Sequence, residues 1–391
     1  MPDTKMPLTQ KIGFLCSSLA WGGLEINVFR LQKWLSEQSL KVVLLAQEKS
    51  RLYQESLKMQ LPVVAVEAHW RYFDFYQAYR LANILKKENI EILFIFHMHD
   101  SDIVAWIKRF FLPRLIIIYQ QHMQITTNKK DILHDFRYST YHAWISPSEF
   151  LVQQLQQFTN VPEKKIHIIP LGVEVSQFVE NKVSQKEALA FFDIPYEEDF
   201  TYLGIIGRID PQKGQLFVVK ALKNLLQEND RLKLLIVGDK TQGSEADEYF
   251  QEIQQFVRTN HLENVVYFRS FTTQVEKFYQ AIDIFVLASL GETYGMVTIE
   301  AMLSRKIILA TDSGGTPHIL QQGRYGTLYQ PENEKDFIEK LKKILADRTS
   351  FLEKALQAEK HALSYYSHQN ECNQLVEMLS RLVQTNQEKK P

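Results

Sequence analysis

The sequence predicts an α/β protein made of two Rossmann-like, doubly wound halves. Three observations carry this. Short, continuously apolar runs of strand length recur with helical patterns between them, and runs without polar alternation belong to parallel strands buried on both faces. The same rhythm stops near the middle of the chain and restarts. The 391 residues exceed what one core usually serves, so two domains of roughly 150 to 200 residues are expected.

The elements follow in order. The first half opens with a strand-like run at 11–16, then a helical pattern at 24–35 and strand-like 42–45. A helix at 76–87, a strand at 91–96, a helix at 102–111 and a strand at 115–119 complete it. The second half restarts at 202–206 and continues through 234–237, 265–268, 284–287 and 307–310, with helical patterns at 216–226, 249–257, 278–281 and 296–304. Between the halves, Pro170 and Gly172 break regular structure and residues 177–186 are polar, which marks a connector. The expected boundary is near residue 175, giving domains 1–175 and 176–369. The polar tail 385–391 is expected to fray.

Composition sets the outer limits. Apolar residues make up 45% and charged residues 23%, which fits a globular chain and excludes wholesale disorder. Lys and Arg number 45 against 46 Asp and Glu, a net charge of −1, so nothing global draws the chain onto nucleic acid. That balance hides two unlike halves: residues 1–175 carry 20 cationic against 16 acidic residues, and residues 176–391 carry 25 against 30. Cys16 and Cys372 are the two cysteines, too few for a disulfide framework or a cysteine metal cluster, and the expected compartment is the cytoplasm. The apolar run after Lys11 is too short for a signal sequence, and no stretch approaches the 18 apolar residues of a membrane-spanning helix.

In open α/β sheets, ligands bind beyond the carboxyl ends of the strands, so the loops after strands carry the candidate chemistry. After the first strand comes Trp21-Gly-Gly-Leu-Glu25. Gly22 and Gly23 allow a backbone to approach an anion at a helix start, although two glycines also suit a plain turn. The loop lacks the Gly-x-Gly-x-x-Gly of a dinucleotide site, which disfavours a nicotinamide oxidoreductase. Following the 202–206 strand, Gly207-Arg-Ile-Asp-Pro-Gln-Lys-Gly214 offers Arg208 and Lys213 to one space, a planar fork and a point charge that suit a diphosphate. Gly291-Glu-Thr-Tyr-Gly-Met-Val-Thr-Ile-Glu300 puts Glu292 before a helix and Glu300 on it, with the amides of Tyr294, Gly295 and Met296 at the helix start. Carboxylates accept hydrogen bonds from sugar hydroxyls. His122 follows the strand at 115–119. His97 and His99 have alternating spacing, but with no third ligand in register the expectation is that they line the cleft or terminate the strand, with no metal site.

Taken together and in order, Gly22-Gly23, His122, the Ile168-Ile-Pro-Leu-Gly-Val stretch, Gly207-Arg208 with Gln212-Lys213-Gly214, and the Glu-x7-Glu of Glu292 and Glu300 resemble the retaining glycosyltransferases of family four. The resemblance spans roughly residues 20 to 330 and implies the GT-B architecture, two facing Rossmann-like domains with a cleft between them. It implies that Arg208 and Lys213 hold the donor diphosphate, that Glu300 binds the nucleotide ribose, and that Glu292 with the amides of Tyr294, Gly295 and Met296 orients the donor sugar. His122 would contact the sugar from the first domain, while Gly22 and Gly23 would let the first loop close over the phosphates. A terminal helix at about 370–386 would pack back on the first domain. No metal and no cofactor are implied, since the nucleotide sugar is a substrate. The implied reaction retains the anomeric configuration by front-face substitution. Two departures stand out: Ser304-Arg-Lys306 replaces the Gly and Pro usual in the family, and Tyr119-Gln-Gln-His is an unusual approach to His122.

The implied acceptor is a glycan or lipid-linked molecule, met by the basic half. Residues 106–114 mix aromatics with Lys108, Arg109 and Arg114 in the manner of a helix resting on anionic lipid at the inner membrane face, or of an ordinary helix with a solvated edge. A competing expectation is a sugar-nucleotide binding protein of the same fold without catalysis.

Overall fold

The computed structural model describes residues 8–70, 73–180, 182–240 and 243–388. The chain divides into two compact units. One comprises the chain up to Gly172 together with the segment from His368 onward, and the other is Val173–Ser367.

The first unit is a seven-stranded parallel sheet, β1 (Lys11–Cys16), β2 (Val42–Ala46), β3 (Val63–Ala65), β4 (Ile90–Ile95), β5 (Ile116–Gln120), β6 (Ala143–Ser146) and β7 (Ile166–Ile168), in the spatial order β3-β2-β1-β4-β5-β6-β7. Phe14 at its centre pairs with Leu44 on one side and Phe94 on the other. One face is covered by helix Gly23–Glu37, through Val28, Leu31 and Leu35, and by the final helix His368–Glu388, through Cys372, Leu375 and Leu379. The opposite face is covered by Leu81 and Leu85 of helix Phe75–Lys87 and by Ile103 of helix Ser101–Trp106. Each such side chain contributes about 1.5–3 kcal/mol by leaving water.

The final helix is tied to this unit by a buried polar contact as well as by packing. Gly172 donates its N–H to Glu371 at 2.7 Å, and Gln120 donates Nε2 to the same carboxylate at 3.4 Å. Burial pushes the Glu371 carboxyl up to about 7. A Cβ on Gly172 would stand 2.6 Å from the His368 Cα. Residues 385–388 of the expected frayed tail continue this helix, and 389–391 lie outside the described residues.

The second unit is a six-stranded parallel sheet: β8 (Thr201–Ile206), β9 (Leu232–Val237), β10 (Val266–Arg269), β11 (Ile284–Leu287), β12 (Ile307–Thr311) and β13 (Thr327–Tyr329). Its order is β10-β9-β8-β11-β12-β13. In both sheets the chain winds outward in one direction and then jumps back over the first strand. The reversal falls between β1 and β4 in one unit and between β8 and β11 in the other, and such a switch point opens a crevice at the carboxyl ends of those strands.

One expected element differs. The helical pattern at 102–111 ends as a regular helix at Trp106 and continues as a wider turn, Ile107–Phe111, in which Leu112 donates to the Ile107 carbonyl at 2.8 Å. Pro113 supplies no N–H and disfavours helical geometry at Leu112. The widening swings Lys108 inward, so its Nζ donates to the carbonyls of Pro113 at 2.6 Å and Leu115 at 2.8 Å. Arg109 donates to the Phe136 carbonyl at 2.8 Å and lies over that ring.

Candidate functional site

The loops that flank the switch point of the second unit carry most of the expected site. After β8 the chain runs into a turn whose backbone is fixed from within: Gln215 donates Nε2 to the Arg208 carbonyl at 2.8 Å, and Asp210 accepts from the Gln212 N–H at 2.9 Å. The turn ends at Gly214, with φ at +69°. A Cβ there would sit 2.4 Å from the Ala288 carbonyl oxygen, so glycine is what lets the β8 loop lie against the β11 loop. The contact is closed by the Leu290 N–H on the Gln212 carbonyl at 2.9 Å.

This approach brings Lys213 and Glu292 together. Lys213 Nζ lies 2.8 Å from Glu292 Oε2, with the two side chains 26% and 17% exposed. The pair is therefore half shielded but open to a ligand. Arg208 is exposed and has no ion-pair partner among the described residues. The loop holding Glu292 is propped from below. Gly315 donates to the Glu292 carbonyl at 2.8 Å, and a Cβ on Gly314, whose φ is +60°, would sit 2.3 Å from that oxygen. Ser313 donates Oγ to the Leu290 carbonyl.

Tyr294 is buried, and Gly295, with φ at +91°, caps helix Met296–Leu303. The first turn of that helix offers its amides, and the positive end of its dipole, to an anion. Glu300 lies on the same helix, and the buried Tyr279 hydroxyl stands 2.9 Å from its Oε2 and 2.9 Å from the Val297 carbonyl. Burial, then the Glu300 charge, holds the Tyr279 hydroxyl protonated. Tyr279 gives no sequence signal, because it sits in an earlier helix, Val275–Ala281, among ordinary core positions.

Ser304-Arg-Lys306 finds a physical account. Arg305 takes the left-handed conformation and is anchored by Glu359, 2.6 Å from its Nη2. Lys306 is half-buried with Nζ on the Ile282 carbonyl at 3.0 Å, and desolvation lowers its ammonium to about 8. An ion pair and a lysine bond thus make the turn that a Gly and a Pro would make.

The remaining expected residues lie in the first unit. Gly22 donates its N–H to Glu25 at 2.9 Å, and Gly23 opens helix Gly23–Glu37 with no atom within 4 Å of where a Cβ would stand. The fold itself does not demand glycine at 23. His122 follows β5, its ring 6.0 Å from Phe96 and its Nε2 buried with no partner among the described residues. Burial pulls its imidazole down to about 4, so it is neutral at physiological pH. Gln121 accepts from Trp144 Nε1 at 3.1 Å and from Ser146 Oγ at 3.1 Å, which explains the approach to His122 as a buried network.

One cluster was not visible in the sequence. At the first unit's switch point Asp100, fully buried, accepts from Ser17 Oγ and, at 3.2 Å, from the Ser17 N–H, and lies 2.8 Å from His69 Nε2. The ligand atoms of His69, His99 and Asp100 fall within 4.8 Å of one another, so the third group absent from the His97/His99 spacing comes from another loop. Asp100 spends both oxygens inside the protein, on Ser17 and His69.

Two doubly wound units, one carrying paired cations and carboxylates at its switch point, define a GT-B type protein. Comparison with known proteins agrees. Residues 21–177 match the family described as Glycosyltransferase Family 4, and residues 187–364 match Glycosyl transferases group 1. The chain is 26% identical over 239 residues to the lipopolysaccharide 1,2-N-acetylglucosaminetransferase of Salmonella typhimurium, covering 60% of this chain and 61% of that one. It is 24% identical over 256 residues to the alpha-monoglucosyldiacylglycerol synthase of Streptococcus pneumoniae, covering 64% and 53%. The match thus spans little more than half the length of these curated relatives. In fold, the chain superposes on the Anabaena Alr3699/HepE crystal structure in complex with UDP with a TM-score of 0.83 at 18% identity, covering 95% of this chain and all of that one. A glycosyltransferase from Rickettsia africae superposes with a TM-score of 0.84 at 18% identity, covering 96% and 98%. The chain belongs to the family 4-like glycosyltransferases of the GT-B type.

Proposed function

We propose that the protein transfers a sugar from a nucleotide-diphosphate sugar to a glycan or lipid-linked acceptor, with retention of anomeric configuration and without a metal. The observation that carries this is the Lys213–Glu292 contact at the β8/β11 switch point, with exposed Arg208 in the same β8 loop and without an ion-pair partner among the described residues. Two cations there match a diphosphate, and carboxylates at Glu292 and Glu300 match hydroxyls of the sugar and ribose. The UDP complex of the HepE structure and the lipopolysaccharide and diacylglycerol names of the relatives support the donor and acceptor classes.

In the reaction, the bond between the anomeric carbon and the diphosphate oxygen breaks. Arg208 and Lys213 hold the charge that gathers on that oxygen, which is the electrostatic work a metal would otherwise do. An acceptor hydroxyl adds to the same face of the sugar, and its proton passes to the departing phosphate oxygen. Glu292 and the amides of Tyr294, Gly295 and Met296 orient the sugar, Tyr279 positions Glu300 on the ribose, and neutral His122 offers a hydrogen bond to the sugar. Gly22 and Gly23 leave room for the phosphates. The acceptor is a cell-surface glycan precursor met at the cytoplasmic membrane face.

The test is nucleotide release from UDP-, GDP- and ADP-sugars with EDTA present. Release is expected from one of these classes and lost in Arg208→Ala and Glu292→Ala. Unchanged turnover in both variants would place the chemistry elsewhere.

A further inference from the structure

The first unit carries an aromatic surface that no core requires. Trp70, Phe73, Tyr76 and Phe110 are 81%, 67%, 69% and 61% exposed. Phe73 and Phe110 belong to one ring cluster. Phe75 lies 4.4 Å from Trp106 and 6.3 Å from Phe110, and Phe73 is 5.9 Å from Trp106. A contiguous exposed patch of this kind marks an interaction site.

Charge indicates what meets it. Helix Phe75–Lys87 buries Ala78, Leu81, Ala82 and Leu85 and has no acidic residue. Its outward side runs from the aromatic end at Phe75 and Tyr76 to exposed Lys86 and Lys87. Arg80, also exposed, is only loosely paired, 3.9 Å from Glu67. The acid just beyond the helix, Glu88, is neutralised by Lys11 at 2.8 Å. By contrast, of the three cations that sequence pattern suggested for lipid contact, Lys108 and Arg109 are tied to main-chain carbonyls, which leaves Arg114.

We propose that helix Phe75–Lys87, with the rings around Trp106 and Phe110, is the surface by which the protein rests on an anionic membrane. The rings enter to headgroup depth, while Lys86 and Lys87 meet the phosphate charges. A glycan is the less suitable occupant. Sugar sites combine rings with carboxylates or amides that take hydroxyls, and the acid nearest the patch, Asp74, is already used by the N–H groups of Trp70 at 3.0 Å and Gln77 at 3.1 Å. The inference rests on the proposed lipid-linked acceptor for its biological purpose.

The experiment is sedimentation of the full chain with vesicles of phosphatidylcholine alone and of phosphatidylcholine mixed with phosphatidylglycerol. The wild type is expected to pellet with the mixed vesicles. Lys86→Glu/Lys87→Glu should weaken partitioning by about thirtyfold or more, Tyr76→Ser/Phe110→Ser should weaken it by about tenfold, and Arg109→Gln should leave it unchanged. A wild type that stays in solution with both vesicles overturns the proposal, as does an equal loss in Arg109→Gln. Retention by immobilised oligosaccharide that Tyr76→Ser/Phe110→Ser abolishes, with vesicle binding intact, overturns it in favour of a glycan surface. Vesicle binding needs no nucleotide sugar, so its failure leaves sugar transfer standing and a failure of transfer leaves it standing.

Discussion

Glu292→Gln separates two roles that one carboxylate performs. In the unliganded protein Glu292 neutralises Lys213 at 2.8 Å, with side chains 17% and 26% exposed. A partly exposed pair contributes about 0.2–1 kcal/mol, and a nucleoside diphosphate that takes the Lys213 charge must offset that loss. The glutamine variant removes the competitor together with a negative charge. It should therefore bind the nucleoside diphosphate alone about two- to fivefold more tightly, while sugar transfer falls at least tenfold because a neutral amide replaces the charged acceptor of the sugar hydroxyls. Lys213→Ala should act in the opposite sense on binding. Losing a charge-assisted bond of about 1.5–3 kcal/mol weakens the diphosphate roughly ten- to 150-fold. Calorimetric titration with UDP, GDP and ADP reads binding, and nucleotide release from the matching sugar reads transfer. If Glu292→Gln weakened diphosphate binding, or Lys213→Ala left it unchanged, the proposed competition between carboxylate and diphosphate would be refuted.

Further outcomes follow from the same geometry. Gly314→Ala forces a Cβ to within 2.3 Å of the Glu292 carbonyl oxygen at a φ of +60°, and should cut transfer more than tenfold. Gly323→Ala carries a similar left-handed strain with nothing nearer than 3.8 Å, and should cost stability of order 1–3 kcal/mol with transfer retained in the folded fraction. Burial lifts Glu371 from 4.5 to about 7, so the folded chain holds a proton that the unfolded chain releases. Its stabilising effect is complete below pH 4.5 and falls as pH rises through about 7, by roughly 3 kcal/mol. Melting curves between pH 5 and 8 should show this decline in the wild type and a flatter profile in Glu371→Gln. His122, held neutral by burial with its imidazole near 4, should add no inflection near pH 6.5 to the rate profile. His122→Ala should lower transfer about three- to tenfold, the worth of one neutral hydrogen bond.

The central strands were the most legible part of the fold. β1 and β11 fall on the apolar runs themselves, and β2, β4, β5, β8, β9, β10 and β12 lie within two residues of theirs, because strands buried on both faces leave no polar interruption. β3, β7 and β13 have three residues each at or near sheet edges, too short for periodicity to register. Helix Gln185–Phe191 went unread at the end of the polar connector, although Ser184 and Glu187 form a capping box at its start. Helix Ser244–Thr259 was seen only from 249, since its first turn is acidic and favoured by the dipole rather than by burial.

The candidate site divides the same way. Arg208, Lys213, Glu292, Gly295, Met296 and Glu300 could be singled out because each group is contiguous, in a loop directly after a strand or on the helix that follows that loop. The Lys213–Glu292 contact itself was not, for it depends on Gly214 packing on Ala288 across the two loops. Ser17, His69 and Asp100 come from three separate loops, and no spacing along the chain relates them. Lys108 and Arg109 looked like free surface cations, but both are tied to main-chain carbonyls, Lys108 on Pro113 and the exposed Arg109 on Phe136.

The most direct test of the account is the melting temperature of the wild type and of Arg208→Ala/Glu300→Ala with a panel of nucleotide sugars and EDTA. One base class is expected to stabilise the wild type, by about 2.7 kcal/mol at a hundredfold excess over Kd, and to lose that effect in the double variant. A panel in which no nucleotide sugar raises the wild-type melting temperature, or a rise that survives in the double variant, would contradict a donor site at the β8/β11 switch point.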